Sequence, residues 1–153
     1  MAYIRGNADH PNLYGEVYFY KAPWGGVIVN AEICGLPDMG STSPDTYHRN
    51  QSVLFSHFYG MHIHENGNCT PPFDQTGNHY NPEQLPHPAH AGDLPPLLGN
   101  NGYAWMAFYD NRISIEDILG RSLVIHDMRD DFTTQPSGGS GTKIGCGVIE
   151  PYQ

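Results

Sequence analysis

A chain of 153 residues is long enough for one domain, 1–153, with a single sizeable core. Its formal charge of −9, with Lys21, Lys143 and five arginines as the only cations, argues against nucleic acid or an anionic membrane as partner, because no phosphate surface would be neutralised. No apolar run approaches the roughly 20 residues of a membrane span, and Met1-Ala2-Tyr3-Ile4-Arg5 lacks the basic-then-apolar plan of a signal peptide, so a cytoplasmic location is expected unless an export signal was removed.

Eighteen glycines and thirteen prolines, with short β-branched and aromatic runs between turn signals, predict an all-β chain with long loops. The first third reads as a three-stranded meander. Ala2 to Asn7 alternates weakly, Leu13 to Lys21 alternates well, and Gly26 to Cys34 follows a Pro23-Trp24-Gly25-Gly26 turn. Cys34 is expected to be a small buried hydrophobe without chemistry. The segment from Asp38 to Ser52 is polar and without period, and is read as a surface loop. His10, His48 and His57 have no metal-ligand company and are read as surface or structural residues.

Chemistry concentrates in Gly60-Met61-His62-Ile63-His64-Glu65-Asn66-Gly67-Asn68-Cys69. On a strand, His62 and His64 project from one face, since side chains repeat every second residue. Alone, His-X-His is more often an exposed polar face than a metal site. The next stretch, Thr70 to Asn100, has hardly any periodicity, and loops of that length in a compact domain are functional or disordered. It contains His79, His87, His90 and Asp93, four donors of a kind that zinc accepts in a closed tetrahedral site. Its seven prolines from Pro71 to Pro96 equally suit an unstructured segment, in which metal would supply the order that a missing core cannot.

Regular structure then returns. Asn101-Gly102 is a hairpin signal, Tyr103 to Tyr109 is a strand, and Ile113 to Ile118 a short turn or extended link. Arg121 to His126 is a buried strand ending in a histidine, before Asp127-Met128-Arg129-Asp130-Asp131, which makes His126 a candidate third ligand beside His62 and His64. The glycine-rich run from Gln135 to Lys143 lacks the Gly-Lys-Ser/Thr order of a phosphate-binding loop and leads into a last strand, Ile144 to Ile149. Cys34, Cys69 and Cys146 allow at most one internal disulfide.

The ordered motifs GMHIHENGNC, GNHYNP (77 to 82), HAGDLP (90 to 95), GRSLVIHDMRDD (120 to 131) and GTKIGCGVI (141 to 149) together resemble the copper/zinc superoxide dismutase family, nearer its bacterial branch. The resemblance implies an eight-stranded Greek-key β-sandwich or barrel, immunoglobulin-like, with metals held by long loops outside it. It implies copper on His62, His64, His79 and His126, and zinc on His79, His87, His90 and Asp93, with His79 bridging. By the same resemblance Asp130 would hydrogen-bond His62 and His87, Cys69 would pair with Cys146, and His79 and Lys143 would serve the reaction. The implied reaction turns two superoxide anions and two protons into dioxygen and hydrogen peroxide.

Lys143 stands where the family usually has arginine. A lysine offers a mobile point charge instead of a planar fork of fixed donors, so attraction of the anion is expected to survive and its orientation to suffer. The resemblance allows a homodimer without requiring one. Two other classes compete: a non-catalytic copper/zinc-binding module or metal carrier on the same fold, and a zinc hydrolase. The second needs an open zinc position, and here the zinc set is full.

Overall fold

The computed structural model describes residues 1–37 and 57–152; the loop expected at 38–52 and His48 lie outside the described residues. The three alternating runs at the N-terminus form strands β1 (Ala2–Gly6), β2 (Tyr14–Lys21) and β3 (Val27–Cys34), paired antiparallel as a meander. Next come β4 (Phe58–Tyr59), β5 (Met61–His64), β6 (Leu97–Leu98), β7 (Tyr103–Asp110), β8 (Ser122–His126) and β9 (Lys143–Val148). Seven of them make one antiparallel sheet in the order β5-β8-β9-β1-β2-β3-β7, while β4 pairs with β6.

The expected eight strands are met once β4 and β5 are seen as halves of one run broken at Gly60. The Gly60 N–H donates to the Met128 carbonyl at 2.8 Å and its carbonyl accepts from the His126 N–H at 2.8 Å, which keeps the run on the β8 edge. Beyond that point β4 turns to β6, and β6 leads through the Asn100–Tyr103 bridge into β7 at the opposite edge of the sheet. The sheet is therefore curled, with the β4–β6 pair linking the strand at one edge to the strand at the other.

Alternation decides what fills the interior. Ile4, Val17, Val29, Ile33, Met61, Ile63, Leu97, Leu123, Ile125 and Ile144 are all 1% exposed or less and point inward. Each such aliphatic side chain contributes about 1.5–3 kcal/mol relative to leaving it in water. Strands β5 and β8 are buried on both faces, because their outward residues His62, His64, Val124 and His126 lie under loops.

Of the two readings of the 113–118 link, the short turn forms, as a single helical turn α1 (Ile115–Ile118) capped by the Ser114 hydroxyl accepting from the Asp117 N–H. Two other expectations are corrected. Cys34 is half-buried on the outward face of the sheet, not a core residue. The 70–100 stretch is ordered by the protein itself as well as by any ion. It contains β6 and a 3-10 turn at Asp74–Thr76, and buries Phe73, Leu94 and Leu97. It also hydrogen-bonds along β5: Tyr80 N–H to Ile63 carbonyl at 2.8 Å, Ile63 N–H to Gly92 carbonyl at 2.9 Å, and Glu65 N–H to Asn78 carbonyl at 2.9 Å. No helix among the described residues is long and apolar enough to cross a membrane.

Candidate metal centre

The backbone bonds between β5 and the 70–100 loop place the donors. Isolated bridges set His64 opposite His79 and His62 opposite Asp93. On the other side of β5, pairing with β8 brings His126 to the same outward face, and the β8–β9 register sets Lys143 opposite His126. Two groups of four donors result, each with its ligand atoms within 4.8 Å of one another. They are His62, His64, His79 and His126, and His79, His87, His90 and Asp93. All seven residues are buried, and His79 belongs to both groups.

The rings of His62, His64, His87 and His126 are each turned by a partner on one nitrogen so that the other faces a cluster. His64 Nδ1 lies 2.9 Å from the Gly77 carbonyl and His126 Nδ1 lies 3.5 Å from the Gly141 carbonyl. Asp130 takes His62 Nε2 at 2.7 Å on one oxygen and His87 Nε2 at 2.8 Å on the other, linking the two groups as the resemblance implies. Left over, buried and without a hydrogen-bond partner, are His62 Nδ1, His64 Nε2, His79 Nε2 and His126 Nε2, while His87 Nδ1 faces an Asp93 oxygen at 3.0 Å without hydrogen-bond geometry. Among the described residues, the remaining buried side-chain orphans are Asn30 Oδ1 and Ser122 Oγ, so orphans concentrate at this site.

An unmet buried polar atom costs about 1–3 kcal/mol, and a cation shared by converging lone pairs removes that cost for the whole set. The second group is equally suited. His79 Nδ1 lies 2.7 Å from one Asp93 oxygen, and His87 Nδ1 and His90 Nδ1 lie 3.0 and 3.2 Å from the other. Donors about 2.0–2.1 Å from a tetrahedral zinc stand about 3.3 Å apart, close to this spacing. The donor chemistry fits copper at the all-imidazole group and zinc at the group with a carboxylate.

Electrostatics support neutral imidazoles ready to ligate. Burial pushes His62 and His126 below the usual imidazole range, with neighbouring imidazoles adding to it, and pushes His64 down to about 3. Burial opposes ionisation of Asp130, but hydrogen bonds from His62, the Phe132 N–H and His87 outweigh it and hold the carboxyl at about 2. For Asp93 too burial works against the charge, and the His79 hydrogen bond with the surrounding imidazoles lowers its pKa overall. Both carboxylates are therefore charged at neutral pH.

A cavity of about 590 Å³ opens onto the first group, lined by His64, His79, His126, Gly141 and Lys143 among others. Lys143 is not the mobile point charge expected from its side-chain type. Its Nζ lies 2.8 Å from Thr76 Oγ1 and 3.4 Å from each of the Phe73 and Gly77 carbonyls. Burial lowers its pKa and the charge of Asp74 pulls the other way. The Cys69–Cys146 disulfide forms, and packs with Phe73 and Val124 on the outer face of the sheet. His10, held by Asn7, and exposed His57 stand outside both groups.

Several residues escape a reading of the sequence. Thr76 and Gly77 anchor both Lys143 and His64 through atoms that no motif marks. Gly138, at φ +72°, leaves room for Asp130: a Cβ there would lie 2.1 Å from Asp130 Oδ1 and 2.7 Å from His87 Nε2. Arg112 and Asp110 support the loop from below. The pair Asp-X-Arg closing an otherwise apolar and aromatic strand was the one visible signal.

A curled antiparallel β-sheet carrying two fused histidine-rich clusters outside its core defines a dinuclear metal-binding protein of the β-sandwich class. The sequence profile of the copper/zinc superoxide dismutase (SODC) family matches residues 13–149, and the chain belongs to that family. It is similar to Superoxide dismutase (Cu-Zn) of Deinococcus radiodurans, 38% identical over 114 residues, which are 60% of this chain and 63% of that one. It is also similar to Superoxide dismutase (Cu-Zn) 3 of Arabidopsis thaliana, 36% identical over 114 residues, 64% of this chain and 70% of that one. Thus the chain spans somewhat less than two thirds of the length of the Deinococcus relative. Among solved structures, a double mutant of a SOD-like protein from Bacillus subtilis superposes with a TM-score of 0.76 at 26% identity, over 98% of this chain and 96% of that one.

Proposed function

We propose that the protein is a superoxide dismutase, converting two superoxide anions and two protons into dioxygen and hydrogen peroxide. The observation that carries this reading is the position of His79, whose Nδ1 lies 2.7 Å from Asp93 while its Nε2 is buried and unpartnered in the neighbouring all-imidazole group. When bound, copper would supply one-electron chemistry at His62, His64, His79 and His126, and zinc a fixed positive charge at His79, His87, His90 and Asp93.

The chain's own residues do the rest. Asp130 holds the rings of His62 and His87 in one orientation, so both clusters are set before metal arrives. His79 can take and release a proton at Nε2 while Nδ1 stays on the Asp93 side. The cavity leads a small anion past Lys143 to His64 and His126, and the Lys143 charge offsets locally the overall charge of −9.

The test pairs metal analysis of the purified protein with a superoxide-consumption assay. His79→Ala is expected to lose zinc affinity and activity together, since one ring serves both clusters; retained zinc with full activity sinks the reading. A metal-binding module without turnover remains the second reading. It is favoured by the Lys143 ammonium, which is already engaged by Thr76 Oγ1 at 2.8 Å and lies 3.4 Å from the Phe73 and Gly77 carbonyls. That reading predicts both metals bound and no consumption of superoxide.

A further inference from the structure

The turn from His90 to Asp93 supplies two of the four donors of the carboxylate-containing cluster. Within itself it is closed by two bonds, the Asp93 N–H to the His90 carbonyl at 3.1 Å and the His90 N–H to Asp93 Oδ2 at 3.0 Å. Main-chain bonds tie the middle of the turn to its surroundings, with the Gly92 carbonyl accepting from the Ile63 N–H of β5 at 2.9 Å and the Gly92 N–H donating to the Tyr80 carbonyl at 2.8 Å. Its two ends are held from the other side by Arg112, just after β7. Arg112 Nη1 donates to the His90 carbonyl at 3.1 Å and Nη2 to the Asp93 carbonyl at 2.6 Å, so one guanidinium spans the two ends of the turn.

The guanidinium is itself held. Nε donates to Asp110 Oδ1 at 3.1 Å and Nη2 to Asp110 Oδ2 at 2.6 Å, and Oδ1 accepts the Arg112 N–H at 2.8 Å as well. Asp110 closes β7 and its side chain is 4% exposed, against 39% for Arg112. A two-point pair on a buried carboxylate is a rigid joint, and the planar fork of arginine aims its remaining donors where a lysine could reach only one acceptor. None of the Arg112 bonds touches a donor atom of the cluster, so through them Arg112 acts on metal binding by placing the turn.

We propose that Arg112, seated on Asp110, is the positioning residue of the zinc cluster, fixing His90 and Asp93 against β7 so that both are in place before the ion binds. This rests on the reading of His79, His87, His90 and Asp93 as a zinc site. Groups that orient metal ligands contribute about 10- to 100-fold to affinity. Arg112→Met is therefore expected to weaken zinc binding by that factor, and Arg112→Lys by less.

The experiment loads metal-free full-length protein with zinc alone, in competition with a chromophoric chelator, and in parallel with cobalt(II), whose visible spectrum reports tetrahedral geometry. Copper affinity and the unfolding temperature of the metal-free protein are measured on the same variants. Supporting results are a weaker zinc affinity and a changed cobalt spectrum in Arg112→Met, partial recovery in Arg112→Lys, and unchanged copper affinity. Should Arg112→Met fail to fold, Asp110→Asn, which leaves the guanidinium but loosens its seat, carries the same expectation with a smaller effect. Zinc affinity and cobalt spectrum like wild type in the variant that folds overturn the proposal. So does a loss of copper and zinc affinity in equal measure, which marks a general loss of structure. His87→Ala separates the two readings: if it too binds zinc like wild type, it is the assignment of the zinc site that fails.

Discussion

At the scale of single residues, the proposed reaction makes Lys143 the group that would meet an incoming anion. The β9 register places it opposite His126, and the 73–77 loop fixes its ammonium, so its charge has a defined position while its hydrogens are largely spoken for. Its contribution to the proposed reaction is then attraction more than orientation. Lys143→Glu is expected to cut activity at least about tenfold, the lower end of what electrostatic steering supplies, with copper content unchanged. Wild-type activity should fall as salt rises, since screening acts on attraction and not on ligation. Stopped-flow superoxide decay across a salt series checks both, and indifference to salt and to charge reversal would place the anion path elsewhere. The position of the lysine was legible in the sequence; its three acceptors were not, because they come from residues remote in the chain.

At the scale of elements, the disulfide joins the end of the β5 turn to β9 across a separation of 77 residues. The loop that it closes carries Phe73, Thr76 and Gly77, the last two of which hold Lys143 and His64. Cys69→Ser should therefore lower stability by about 2–5 kcal/mol and loosen the cavity wall. Calorimetric melting of the oxidised and reduced protein checks this, and identical transitions would show that the bridge contributes nothing. Strands β1, β2, β3, β7, β8 and β9 were readable from alternation and turn residues. The helical form of the α1 turn was not legible because four residues carry no helical period, and its signal was the Ser114 cap. Strand β6 was hidden because Leu97 and Leu98 follow two prolines and are too short to show alternation.

At the scale of the molecule, burying imidazoles as neutral ligands makes stability depend on pH. His64 is held at about 3 in the fold against an ordinary 6.5, and His62 and His126 are lowered in the same direction. Between those values the unfolded chain binds more protons than the folded one, so stability rises with pH there and is lost as pH falls from 6.5 toward 3. Asp130, lowered from 3.8 to about 2, adds stability that is present above 3.8 and lost only as pH falls through about 2. The metal-free protein should thus unfold at a lower denaturant midpoint near pH ~4.5 than near pH ~7, through the histidines and before Asp130 contributes. Equal midpoints would mean that these rings are not buried neutral.

The same molecule shows where sequence and tertiary structure divide the work. Residue types and period are local properties, so the all-β class, the outward pair His62 and His64, the donor-rich loop and the candidacy of His126 could be determined from the chain alone. The candidate set His79, His87, His90 and Asp93 came from the residues, the sharing of His79 with His62, His64 and His126 came from resemblance, and the fold brings both groups together. What only the tertiary structure decided are relations between remote segments: the loop that lies along β5 through main-chain bonds, the Thr76 and Gly77 acceptors that fix Lys143, and the guanidinium of Arg112 beneath the His90–Asp93 turn. Backbone hydrogen bonds carry no residue code, and a contact made through a carbonyl leaves no trace in the identity of the residue that supplies it.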